Sequence, residues 1–189
     1  MWKIANASAL LVAMGLITYG WRVLGEKQVS QTIAVAQVLN SETAPPIDWE
    51  IVKPAYDGDT ITVKRNGEKL KVRFACIDAP ELKQPMGKQS RDYLRSLISK
   101  SEGKVGLNVI KLDKYGRSVS EVWVANDWTK ELAQSKMVLA GMAYGYERYK
   151  SDCPSWDAVS TSQEYAKSNK IGVWGGEYEK PWEYRKGNR

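Results

Sequence analysis

Two short acidic clusters carry side chains able to do chemistry: Asp57-Gly58-Asp59-Thr60 and Asp78-Ala79-Pro80-Glu81. Arg73 lies between them, and Asp113-Lys114-Tyr115-Gly116-Arg117 supplies a second guanidinium further along. Asp59 and Asp78, if crowded together, would repel and raise one pKa unless a cation sat between them. Two such carboxylates, the backbone carbonyl of Ala79 and several waters would make an open calcium site. Pro80 biases Ala79 toward an extended conformation, which helps aim that carbonyl. The planar forks of Arg73 and Arg117 can bind phosphate bidentately and offset charge building on a phosphorane oxygen. Glu81, about one turn beyond Asp78, is placed to take a proton from water. Asp-Gly-Asp alone is ordinary turn sequence. Metal-holding acids beside two phosphate-binding arginines describe phosphodiester hydrolysis.

The elements that must bring these groups together are readable from the pattern between them. Ile61 and Val63 alternate with Thr60, Thr62 and Lys64, then Asn66-Gly67 gives the strongest short hairpin signal, and Leu70, Val72 and Phe74 continue the alternation on the return strand. A two-residue turn at 66–67 sets residue 59 opposite residue 74. Asp78, four residues further on, comes within reach of Asp59 if a bulge or bend redirects the strand. Further strands are predicted over residues 104–111 and 118–125. Helices are predicted over residues 88–100, 128–140 (capped by Asp127 and stopped at Gly141) and 154–170. Five short strands and three helices in one α+β unit suit a small barrel with helices packed against it.

Composition narrows the chemistry. The chain has 189 residues and no histidine, which removes serine-histidine and cysteine-histidine catalysis. With two cysteines and no imidazole there is no four-ligand structural zinc site, so any metal must be a hard cation on oxygen ligands. The net charge of +6 and pI near 9.2 favour a polyanionic partner, nucleic acid or an anionic membrane surface. Cys76 shares the parity of Leu70, Val72 and Phe74, which favours a buried thiol; a disulfide to Cys153 becomes attractive only if the domain is exported.

Residues 1–24 contain an uncharged run at 4–21, bracketed by Trp2, Tyr19 and Trp21, which is expected to be a hydrophobic helix acting as a membrane anchor or a signal segment. This leaves the catalytic domain either anchored and exported, or secreted if the leader is cleaved near Ala34-Val35-Ala36. Residues 25–47 read as a linker ending in Ala44-Pro45-Pro46, residues 48–175 as the folded domain, and residues 176–189 as a C-terminal tail.

The stretches YDGDT, RFACIDAPE and DKYGR, in that order, resemble the staphylococcal (micrococcal) nuclease family over about residues 48–175, and Pro181-Trp182-Glu183-Tyr184-Arg185 looks like a tail of bacterial members. The resemblance implies an OB-fold five-stranded β-barrel with three helices and a calcium-dependent endonuclease acting on DNA or RNA. It would cleave the 5′ P–O bond and leave 3′-phosphate ends. Asp59, Asp78 and the Ala79 carbonyl match the family's metal ligands, Asp57 a nearby acid, Arg73 and Arg117 its catalytic arginines, and Glu81 its general base. Lys114 and Tyr115 resemble substrate contacts, and Tyr144, Tyr146 and Tyr149 form a cluster from which Tyr149 is expected to stack bases. A monomer is expected. The rival from another class is a non-catalytic nucleic-acid-binding barrel tethered to a membrane.

Overall fold

The computed structural model describes residues 44–126 and 129–188. The apolar run at 4–21, most of the expected linker, and Asp127 and Trp128 lie outside the described residues. Among the described residues no helix is long and apolar enough to cross a membrane.

The chain runs β1 (Trp49–Lys53), β2 (Thr60–Arg65), β3 (Glu68–Phe74), β4 (Ile77–Asp78), α1 (Gly87–Lys100), β5 (Lys104–Leu112) and β6 (Ser118–Ala125). It continues with β7 (Lys130–Leu132), α2 (Ala133–Leu139), β8 (Tyr144–Gly145), α3 (Trp156–Ser168) and α4 (Pro181–Gly187). Strands β3, β2, β1, β5 and β6 are neighbours in that order, and a parallel β3–β6 pairing closes them into a five-stranded barrel. Closure covers the outer edge of β3 and that of β6 as far as Ser120.

Alternation puts Ile61 and Val63 of β2, Val72 and Phe74 of β3, Val105 of β5 and Val122 of β6 inside, all buried. Each such side chain contributes about 1.5–3 kcal/mol by leaving water. Leu94, Leu97 and Ile98 of α1, Met137 and Val138 of α2 and Val159 of α3 join the same apolar cluster.

The hairpin forms in the register the sequence dictates: Arg65 pairs with Glu68 and Thr60 with Arg73. Asn66 (φ 50°) and Gly67 (φ 83°) both take positive φ, as a two-residue turn matching the strand twist requires. The Phe74 N–H donates to Asp59 O at 2.8 Å, so residue 59 does face residue 74.

The helix expected over residues 128–140 is corrected. Within it, residues 130–132 form β7, antiparallel to β6 with Trp123 opposite Leu132, and the helix is confined to Ala133–Leu139. An exposed end of β6 offers unpaired backbone, and satisfying it outweighs local helix propensity. Gln134 of α2 serves the same strand: its side chain accepts from the Val122 N–H at 3.1 Å and donates to Ser120 O at 2.9 Å. The segment expected to be a plain tail also folds, giving the short helix α4 with Pro181 at its first turn.

Candidate active site

Asp59 stands just before β2, on a segment pressed into the molecule. A β-carbon on Gly58 would lie 1.9 Å from Ser90 Oγ and 2.8 Å from the Ala79 β-carbon, so only glycine permits this approach to α1 and to residue 79. The Ala79 N–H donates to Asp59 Oδ2 at 2.7 Å, which joins the two acidic stretches directly.

Asp78 reaches Asp59 through a bend. Cys76 adopts φ 68°, in the left-handed region, and turns the chain away from the barrel after β3. Ile77 and Asp78 then pair with Gly145 and Tyr144, and the Tyr146 N–H donates to Cys76 O at 2.7 Å. A disulfide joins Cys76 to Cys153, so the free thiol favoured by parity is replaced by a covalent clamp on the bend. With both sulfurs bonded to each other, the neighbouring buried Glu121 has no thiolate with which to share a metal. It accepts instead from Asn108 Nδ2 at 3.0 Å and the Ser155 N–H at 2.8 Å.

Arg73 lies between the two aspartates. It is ion-paired with Asp59 Oδ2, and its Nη2 donates to Asp78 Oδ1 at 2.7 Å. The Asp78 side chain is 0% exposed, and burial pushes its pKa up even against the pull of Arg73 and Arg185. Burial opposes the charge on Arg73, but Asp59 and Asp78 outweigh it and raise its pKa. Asp57 accepts the Asp59 N–H at 3.2 Å; burial, then the Asp59 charge, pushes its carboxyl up to about 6. These are the electrostatics of a carboxylate cluster short of positive charge.

Glu81 follows on a turn where its N–H donates to Gln84 Oε1 at 2.9 Å. Its carboxylate meets a residue that sequence reasoning did not assign: Arg185 of α4. Arg185 Nη1 donates to Glu81 Oε1 at 2.7 Å and to Asp78 Oδ1 at 3.1 Å, and its Nη2 donates to Asp78 Oδ2 at 2.5 Å. The available signal was the excess of acids over Arg73 in the two clusters, together with Arg185 in the quoted tail stretch.

Arg117 is not bonded to this cluster among the described residues. Its Nε donates to Asp113 Oδ2 at 2.7 Å across its own turn, and these bonds hold the Asp113 carboxyl below its ordinary range despite the cost of burial. The parallel pairing of Val72 with Ser118 nonetheless brings residue 117, just before β6, to the strand that carries Arg73. Tyr115, 69% exposed, has Lys114 Nζ at 5.0 Å and Arg117 Cζ at 5.5 Å from its ring centre. Tyr149 is 44% exposed, with its ring 5.1 Å from that of Tyr146. Tyr144 is instead a packing residue, buried with its hydroxyl donating to Val173 O at 3.2 Å, and burial pushes its pKa up to about 12.

The donor set fits a hard divalent cation. Asp59, Asp78 and the backbone at Ala79 are all oxygen donors, and the Ala79–Asp59 bond already draws them together. Four carboxylates, Asp57, Asp59, Asp78 and Glu81, face two guanidiniums, Arg73 and Arg185, which leaves two negative charges to be balanced.

Comparison with known proteins agrees with this chemistry. The pattern of the family described as "Staphylococcal nuclease homologue" matches residues 71–176. A protein of Escherichia coli O157:H7 named "Uncharacterized endonuclease" is 34% identical over 134 residues, 69% of this chain and 81% of that protein. "Micrococcal nuclease" of Shigella flexneri is 30% identical over 167 residues, 84% of this chain and 93% of its own length. "Staphylococcal-like nuclease CAN1" of Arabidopsis thaliana is 31% identical over 126 residues, 65% of this chain and 35% of that protein.

Proposed function

Because the chain belongs to the staphylococcal nuclease homologue family and is a nuclease, we propose that it is a calcium-dependent endonuclease hydrolysing DNA or RNA at the 5′ P–O bond, leaving 3′-phosphate ends. The observation that carries this reading is the meeting of Asp59, Asp78 and Arg73 at one point, with the Glu81 carboxylate bonded to the same Arg185 that holds Asp78.

In this reading Asp59, Asp78 and the Ala79 carbonyl hold Ca2+. Once bound, the ion supplies Lewis-acid polarisation of the phosphate and acidifies water. Arg73 and Arg117 steady the phosphoryl oxygens, a role for which a planar five-donor fork is better suited than a point charge. Glu81 takes the proton of the attacking water as its oxygen bonds to phosphorus. The P–O5′ bond breaks and the departing O5′ takes a proton from solvent water, giving a 5′-hydroxyl on one fragment and a 3′-phosphate on the other. Lys114, Tyr115 and Tyr149 carry the strand by charge and stacking, without base reading.

The Cys76–Cys153 bridge supports an oxidising compartment for the nuclease domain, since reducing compartments keep such pairs open. We place the domain outside the cytoplasm as a monomer, anchored through residues 4–21 or secreted after their removal.

Plasmid digestion with calcium and with chelator tests the activity, and enzymatic labelling of the termini tests the bond cleaved. Nicking only with calcium, and ends that accept 5′ label without prior dephosphorylation, are expected. Binding without nicking in either tube would refute the enzymatic reading. Asp59→Ala should weaken calcium binding measured by calorimetry, and unchanged affinity would remove it from the metal site.

A further inference from the structure

The C-terminal segment is docked by contacts that owe nothing to the acids. Pro181 is buried, and the Trp182 ring stacks on Tyr146 at 5.2 Å with 12° between planes. Lys180 Nζ sits 3.9 Å from the Tyr144 ring centre and 4.3 Å from that of Trp174. Gln84 ties the segment to the Glu81 turn, accepting from the Glu81 N–H and donating to Glu179 O at 3.0 Å. These anchors place the last helix beside the site through contacts other than its ion pairs. A plug held by its ion pairs alone would have no such support.

The bonding of Asp78 to two guanidiniums leaves one acceptor position unused. Its carboxylate takes one N–H from Arg73 and two from Arg185. An ionised carboxylate offers about four lone-pair sites, so one remains. Glu81 is different: among the described residues Arg185 is the one side chain bonded to its carboxylate.

We propose that Arg185 is a positioning residue of the active centre, its guanidinium bridging Asp78 and Glu81 so that the carboxylate taking the water proton is held in register with the carboxylate on the metal. This assignment rests on the nuclease reading of those two acids. It makes the segment after residue 176, beyond the matched family region, a working part of the enzyme.

The test uses the full chain, with cleavage by the parent measured first. Arg185→Ala should lower kcat by about 10- to 100-fold, the effect of a misplaced reacting group, with KM changed less than about threefold. Arg185→Lys should fail to restore the rate, because one ammonium cannot bridge two carboxylates as a fork does. Added guanidinium ion should restore part of the rate of Arg185→Ala, which a merely structural role would not allow. Calorimetry should find calcium bound to Arg185→Ala as tightly as to the parent or more so. Trp182→Ala, which loosens the anchor and leaves the guanidinium in place, should lose rate in the same direction by less. If Arg185→Ala turns over as fast as the parent or faster, the assignment is overturned while the nuclease reading stands. A loss traced wholly to weaker calcium binding also overturns it. A parent that never cleaves overturns both.

Discussion

Reducing the Cys76–Cys153 bridge should cost the domain a large part of its stability. The two cysteines are 77 residues apart in sequence, so the bridge closes α1, α2 and the strands from β4 to β8 into one loop. A cross-link over a loop of that size removes about 15 cal/mol/K of unfolded-chain entropy, about 4.5 kcal/mol at 25 °C. For a domain of this size that corresponds to roughly 9–18 °C in Tm. Both sulfurs are buried, so the bridge is best opened in denaturant and the protein refolded in reductant. Urea unfolding of oxidised and reduced protein, followed by the fluorescence of the eight tryptophans, gives the difference directly. Since Cys76 is the bend that delivers Asp78, the reduced protein should also cleave more slowly at temperatures where it remains folded. A stability difference under about 1 kcal/mol would refute the chain-entropy reasoning. Two free thiols in protein purified without reductant would refute the bridge itself.

Arg73→Lys should lose about 10²-fold in turnover, because a point charge cannot serve both aspartates and a phosphate oxygen as a fork does; single-turnover cleavage near the parental rate would remove the role. Glu81→Gln should slow cleavage by about 10²-fold and flatten the acid limb of the pH–rate profile, and a parental profile would exclude Glu81 as the base. Asp57 supplies a pH test of stability. Its folded carboxyl titrates at about 6 against an ordinary 3.8, so the native state keeps its proton longer than the unfolded chain. Its contribution is therefore intact below about pH 4, falls as pH rises to about 6 and is level above that. Melting in chelator across this window should show the decline, Asp57→Asn should reduce it and leave the part owed to Asp78, and an undiminished decline in Asp57→Asn would assign it elsewhere.

Much of the barrel was legible because its signals are local. Alternation marked β2, β3 and β6, Asn66-Gly67 fixed the turn, and the 66–67 turn put residue 59 opposite residue 74 as found. The helix over residues 128–140 failed where a neighbour's unpaired backbone decided the outcome, since the edge of β6 recruited residues 130–132 as a strand. The cysteine pairing is not legible in sequence, because parity reports burial and says nothing of which sulfur lies across the core.

The chemical repertoire followed from residue types alone: without histidine, and with acids and arginines in two clusters, the chain was confined to oxygen-held cations and phosphate-directed guanidiniums. Whether those groups meet was decided in three dimensions. Asp78 arrives beside Asp59 through a left-handed bend clamped by a distant sulfur, and Arg185 reaches Asp78 from 107 residues away. Sequence spacing sets distances only along a regular element. Once the backbone reverses or a helix returns from the chain end, packing and charge pairing choose the neighbours.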